Sequence, residues 1–173
     1  MKKIVFLFLF VFMLAGCYSV NEPCGSAAWH FVIKLANSSE VIIDESHIEE
    51  YVIAKREGEY AISDWICLNY AGLEKLRPYV KWDKDFDPPI VSLYEKEFSI
   101  YFEGKKLYNG IFTTTASSKL YSCYTIAFID IEPLPYFLVL QPPALGNSNF
   151  ADRESEEKLF AYFESIGKLR IRE

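Results

Sequence analysis

Apolar and polar positions alternate along residues 29–35. Trp29, Phe31, Ile33 and Leu35 fall on one face and His30 and Lys34 on the other, which is the period of a half-buried β-strand. Ala36-Asn37-Ser38-Ser39 supplies turn chemistry, and residues 40–44 predict a second short strand closing a hairpin. Residues 46–56 read as a helix, or a helix running into a strand. Ser46 and Glu49 have the capping-box spacing, Ile48, Tyr51 and Val52 recur at helical spacing, and Gly58 ends the segment. Residues 61–67 are apolar without a clear period. Residues 69–79, with Leu73, Leu76 and Val80 on one side, predict another helix that stops near Pro78.

After a polar loop at 83–89 that ends in Pro88-Pro89, the period becomes two. Residues 99–102 and 107–113 flank Glu103-Gly104-Lys105-Lys106 and predict a hairpin. Residues 121–131 give the longest strand candidate, and 136–140 a fully buried strand ended by Pro142-Pro143. The last periodic segment, 152–166, places Leu159, Phe160, Phe163 and Ile166 on one helix face. Its acids (Asp152, Glu154, Glu156, Glu157) crowd the amino end, and Gly167, Lys168 and Arg170 mark the carboxyl end. The expected class is α+β: an antiparallel sheet with flanking helices, including a C-terminal amphipathic helix.

One apolar segment fits no core. Lys2 and Lys3 precede an unbroken apolar run at 4–13. As a helix such a run rises only about 15–20 Å, too little to cross a bilayer stably and of the length of a signal-peptide core. It is followed by Leu14-Ala15-Gly16-Cys17. This stretch resembles the lipobox of bacterial lipoproteins. The resemblance implies cleavage before Cys17, acylation of its thiol and new amine, and stable attachment to a membrane by two or three acyl chains. With Tyr18 rather than Asp after the cysteine, it implies the outer membrane, facing the periplasm, in a cell that has one. The expected organisation is a signal peptide at 1–16, a lipidated tether at 17–27 and a single domain at 28–173.

Removing residues 1–16 removes two lysines and no acids, so the net charge moves from −6 to −8. That balance argues against nucleic acid and anionic lipid as partners, because both require clustered Lys and Arg. Ten Phe, 12 Tyr and three Trp remain after the signal is removed, enough for a substantial aromatic core.

Outside the cytoplasm an oxidised cysteine pair is expected. Cys67 and Cys123 lie in apolar segments and Cys24 in the tether. A Cys67–Cys123 bridge is favoured, with Cys24 and either partner as the alternative. Closing so long a loop would be worth roughly 4 kcal/mol.

Catalytic signatures are missing from the sequence. His47 with Glu50 could share a helix face, but no further ligand is apparent, and His30 on a strand's polar face reads as structural. Asp83, Asp85 and Asp87 lack the glycine and distal Glu of a calcium loop. No nucleophile motif or phosphate loop occurs. No catalytic or metal-ligating residue is therefore assigned and no cofactor is implied. The expectation is a non-catalytic envelope lipoprotein that binds a protein, a basic one being the match for its acidic charge, with immunity-type neutralisation of a toxin as one version. The alternatives are an envelope hydrolase with convergent carboxylates, or a carrier of a small apolar ligand.

Overall fold

The computed structural model describes residues 29–54, 63–81, 90–114, 117–129, 137–144 and 153–172. The signal, lipobox and tether, with Cys17 and Cys24, lie outside the described residues, as do Gly58 and the 83–89 loop.

The strands are β1 (Phe31–Leu35), β2 (Val41–Asp44), β3 (Ile48–Ala54), β4 (Asp64–Leu68), β5 (Val80–Lys81), β6 (Ile90–Val91), β7 (Glu97–Phe102), β8 (Lys105–Thr114), β9 (Tyr124–Ile129), β10 (Phe137–Gln141) and β11 (Leu169–Arg172). The helices are α1 (Tyr70–Leu76) and α2 (Arg153–Ser165), with a 3-10 turn at Glu45–His47. Nine strands form one sheet in the order β11-β3-β4-β10-β9-β8-β7-β1-β2, while β5 and β6 pair separately.

Connectivity requires this sheet to curl. Seven strand spacings separate β3 from β2 in that order, about 34 Å if the sheet were flat. Yet only Glu45–His47 joins them in the chain, and four residue steps reach about 14 Å at most. The sheet is therefore a half-barrel whose two ends approach each other. Backbone groups fasten the closing point. The N–H groups of His30 and Phe31 donate to the two Glu45 carboxylate oxygens at 3.1 and 3.2 Å. Lys168 Nζ donates to the carbonyls of Glu45 and Ile48 at 2.9 and 2.5 Å.

Helix α2 lies along the concave side. Ser155, Glu156, Leu159 and Phe163 are its buried stripe. Phe163 stacks on Tyr51 at 4.8 Å and meets Phe31 edge-on at 5.4 Å. Gly167, at φ 71°, supplies the left-handed turn that stops the helix and returns the chain as β11.

The sheet departs from the antiparallel expectation at two places. β9 pairs parallel to β8, and β11 parallel to β3. At the first, β9 runs alongside β8 in the same direction instead of turning back as a hairpin. Gly110 permits that pairing, since a Cβ there would lie 1.9 Å from the Tyr124 carbonyl oxygen. At the second, α2 carries the chain about 20 Å along the concave face before it re-enters, so β11 runs with β3 rather than against it.

Of the two expectations for residues 46–56, the described part follows the helix running into a strand, with the helical start reduced to one turn. The cap is Asp44, which accepts from the Ser46 N–H at 2.9 Å, and it serves one 3-10 turn before β3 begins. Tyr51 and Val52 are both buried, at 0% and 1% exposure. They point to opposite faces of a strand that is covered on both sides, so the run is apolar without alternating. Helix α1 agrees with the expected start: Asn69 caps it, accepting from the Gly72 N–H at 3.0 Å.

Candidate functional site

The concave interior gathers a polar cluster that the sequence reading did not single out. Asp64 opens β4 and faces inward with Ile66 and Leu68. It is 5% exposed and accepts a hydrogen bond from the Tyr51 hydroxyl at 3.1 Å. Glu156, 6% exposed on α2, accepts from the Tyr108 hydroxyl at 2.7 Å. Tyr124 sits against Tyr108, with ring centroids 4.7 Å apart. At the rim, Lys105 Nζ donates to Ser155 Oγ at 2.8 Å. Burial first, and then the neighbouring carboxylate, push both phenols upward: Asp64 acts on Tyr51 and Glu156 on Tyr108. Each carboxylate is thus held by a phenol that stays protonated, an arrangement that pins α2 to β8 and β3 to β4.

The sequence places Glu156 with Asp152, Glu154 and Glu157 as acids crowding the amino end of α2. Its buried position was nonetheless signalled, because Glu156, Leu159 and Phe163 recur at i, i+3 and i+7 on one helix face. Asp64 had a weaker signal, namely its parity with Ile66 and Leu68.

The cysteines do not meet. Cys67 and Cys123 are free thiols. Cys67 is level with Phe137 and, beyond it, Ile129, whereas Cys123 precedes the opposite end of β9. Six residues of strand amount to roughly 20 Å, and a disulfide needs Cα atoms within about 7 Å. The favoured Cys67–Cys123 bridge is therefore corrected. Burial raises the pKa of both thiols, so neither is an activated nucleophile.

The histidines serve the fold. His47 Nδ1 lies 3.0 Å from Asp44 Oδ1, and His30 stacks on Tyr162 at 4.8 Å. Among the described residues no group of three or more His, Cys, Asp or Glu could hold a metal ion.

Two features lie on the outside. The turn after Leu93 and the loop before β9 come together where Lys119 forms an ion pair with Glu95, its Nζ 5.7 Å from the Tyr94 ring centroid. Tyr121 lies beside them. Hydrogen bonding with Ser117 (3.3 Å) is the main cause that lowers the Tyr121 pKa, with contributions from Thr113, Tyr94 and Lys119. Glu95 holds φ 59°, a left-handed conformation that is costly for a non-glycine residue. This ridge presents Leu120 at 68% and Tyr94 at 38% exposure. Next to it, along the same outward face of β8, lies an open groove of about 350 Å³.

Among the described residues no helix is long and apolar enough to cross a membrane. Comparison with protein-family models, with curated proteins and with solved structures finds no match in any of the three.

Proposed function

We propose that the chain is a membrane-anchored envelope lipoprotein, acylated at Cys17, whose folded domain binds a protein partner and turns over no substrate. Neutralisation of a toxin is one version. The observation that carries this reading is the Tyr94–Leu120 ridge. Its large apolar side chains are raised on backbone held by the Lys119–Glu95 pair and by the Ala144 N–H, which donates to the Tyr121 carbonyl at 2.9 Å. Pre-ordered aromatic and aliphatic anchors with a polar surround are the usual centre of a protein interface. The interior supports the same reading. Leu159 and Phe163 occupy the concavity that a carried apolar ligand would need, and the buried carboxylates are engaged by tyrosines of the same chain.

The test uses the envelope-extracted protein. Partner capture should weaken as salt screens the acidic domain and should be lost in Leu120→Asp combined with Tyr94→Ala, with the melting temperature unchanged. Turnover of a peptidoglycan, peptide or ester substrate, abolished by Asp64→Asn or Glu156→Gln, would overturn the reading. Lipidation is tested separately. Globomycin should block processing, and Cys17→Ser should leave the protein uncut or soluble.

A further inference from the structure

The Tyr94–Leu120 ridge already holds a cation of its own. Lys119 Nζ lies 5.7 Å from the Tyr94 ring centroid and pairs with the Glu95 carboxylate. Lys119 first, and the Tyr94 hydroxyl less so, hold the Glu95 carboxyl below its usual pKa. Tyr121 completes the cluster, its hydroxyl 3.3 Å from Ser117 Oγ and beside those of Thr113 and Tyr94. An aromatic face, a carboxylate and several hydroxyl oxygens thus converge on one ammonium group, which is the chemistry of a cation site.

Two features exceed what an internal ion pair needs. Glu95 stands at φ 59° in a tight turn closed by the Lys96 N–H, which donates to the Leu93 carbonyl at 2.9 Å. A turn position with positive φ ordinarily takes Gly or Asn, and a glutamate there is strained. The strain fixes where the carboxylate stands. Thr113 is the second feature. It is 3% exposed, and its Oγ1 is the buried side-chain oxygen left without a hydrogen-bond partner among the described residues. Buried polar groups nearly always have a partner, so a donor from outside the chain has an acceptor waiting beside Tyr121.

Lys119 is a replaceable occupant. Its side chain and that of Glu95 are 57% and 48% exposed, and a surface pair of this kind contributes little stability. A guanidinium presents five donors in a planar fork, against three on a compact ammonium. It can reach Glu95 and the hydroxyls together while lying flat on the Tyr94 ring. The ridge survives the exchange. The Glu95 N–H still donates to the Phe112 carbonyl, and the Ala144 N–H to the Tyr121 carbonyl, each at 2.9 Å. The excess of 24 acids over 18 bases in the chain steers a basic partner toward such a site.

We propose that the ridge receives an arginine side chain of a basic protein partner, which takes the place of Lys119 on Glu95 and stacks on Tyr94. This rests on the protein-partner reading and names the group that the ridge recognises.

Fluorescein-labelled hexa-arginine and hexa-lysine, titrated into the purified full-length protein at physiological ionic strength and followed by anisotropy, provide the test. Hexa-arginine should bind about fivefold more tightly than hexa-lysine, although the two carry equal charge. Lys119→Met vacates the site and should tighten hexa-arginine about threefold. Lys158→Met removes the same charge from a surface pair with Glu154 and should not. Glu95→Gln should weaken hexa-arginine about fivefold, and Tyr94→Leu should remove its preference over hexa-lysine, both at unchanged melting temperature. The proposal is overturned if the two peptides bind alike, if the two lysine substitutions act alike, or if Glu95→Gln leaves hexa-arginine binding intact. Loss of partner capture in Glu95→Gln would support it. Capture unchanged in Glu95→Gln would overturn it while the protein-partner reading stands, and capture of nothing by the wild type is the distinct result that overturns that reading.

Discussion

Phe163→Ala tests whether α2 fills the half-barrel. The ring is fully buried and contacts Tyr51 at 4.8 Å and Phe31 at 5.4 Å. Returning such a side chain to water costs about 1.5–3 kcal/mol, and each aromatic pair adds roughly 0.5–1.5 kcal/mol. Together with the cavity left behind, the expected loss is about 3–5 kcal/mol, a large part of the roughly 5–15 kcal/mol that stabilises a domain. The matched control is Ile166→Ala. The sequence pattern assigns Ile166 to the same helix face, but it is 40% exposed and should cost less than about 1 kcal/mol. Urea unfolding of the purified protein, followed by intrinsic fluorescence, reads the difference. With a slope of about 1–3 kcal/mol per molar, the Phe163 midpoint should fall by roughly 1–5 M at unchanged slope, and the Ile166 midpoint should barely move. Equal costs for the two substitutions would refute the packing of α2 against β1 and β3.

Gly110→Ala should disrupt the parallel β8–β9 pairing, because its Cβ would meet the Tyr124 carbonyl; Gly104→Ala, with nothing within 4 Å of the new atom, should cost only about 1 kcal/mol of left-handed strain, and thermal melts compare them. Stability should decline above about pH 10, since Tyr51 and Tyr108 have pKa values raised in the folded state. Unfolded phenols then release protons that folded ones keep, giving a slope of up to about −1.4 kcal/mol per pH unit for each tyrosine. Tyr108→Phe should flatten that slope in melts between pH 9 and 11, and at neutral pH should cost about 1–3 kcal/mol by leaving Glu156 short of a donor. Thiol titration should find Cys123 reactive in the native protein and Cys67, at 6% exposure, reactive only after unfolding. A Cys67–Cys123 cross-linked peptide would contradict the sheet register.

By itself the sequence determined the elements whose period is local. Alternation marked β1 and the β7–β8 hairpin, and a continuous apolar run marked β10, whose residues Phe137–Leu140 are all buried. The Leu159 and Phe163 spacing with Gly167 marked α2. Each of these signals lies within one segment and survives whatever the segment packs against. Tertiary structure decided the rest. Strand partnership is a relation between distant segments, so nothing local distinguished parallel β9 or β11 from antiparallel strands, and β11 was read as a basic helix end. The curl of the sheet follows from where β2 and β3 fall in the strand order. Inside it α2 covers Tyr51, while Val52 on the other face of β3 is buried among Cys67, Phe137 and Val139 of neighbouring strands, which erases the alternation that would have marked it as a strand. The same closure draws Asp64 and Glu156 inward to meet Tyr51 and Tyr108. A carboxylate is buried only where a donor from elsewhere in the chain compensates its lost hydration, and that donor is fixed by the register of the assembled sheet.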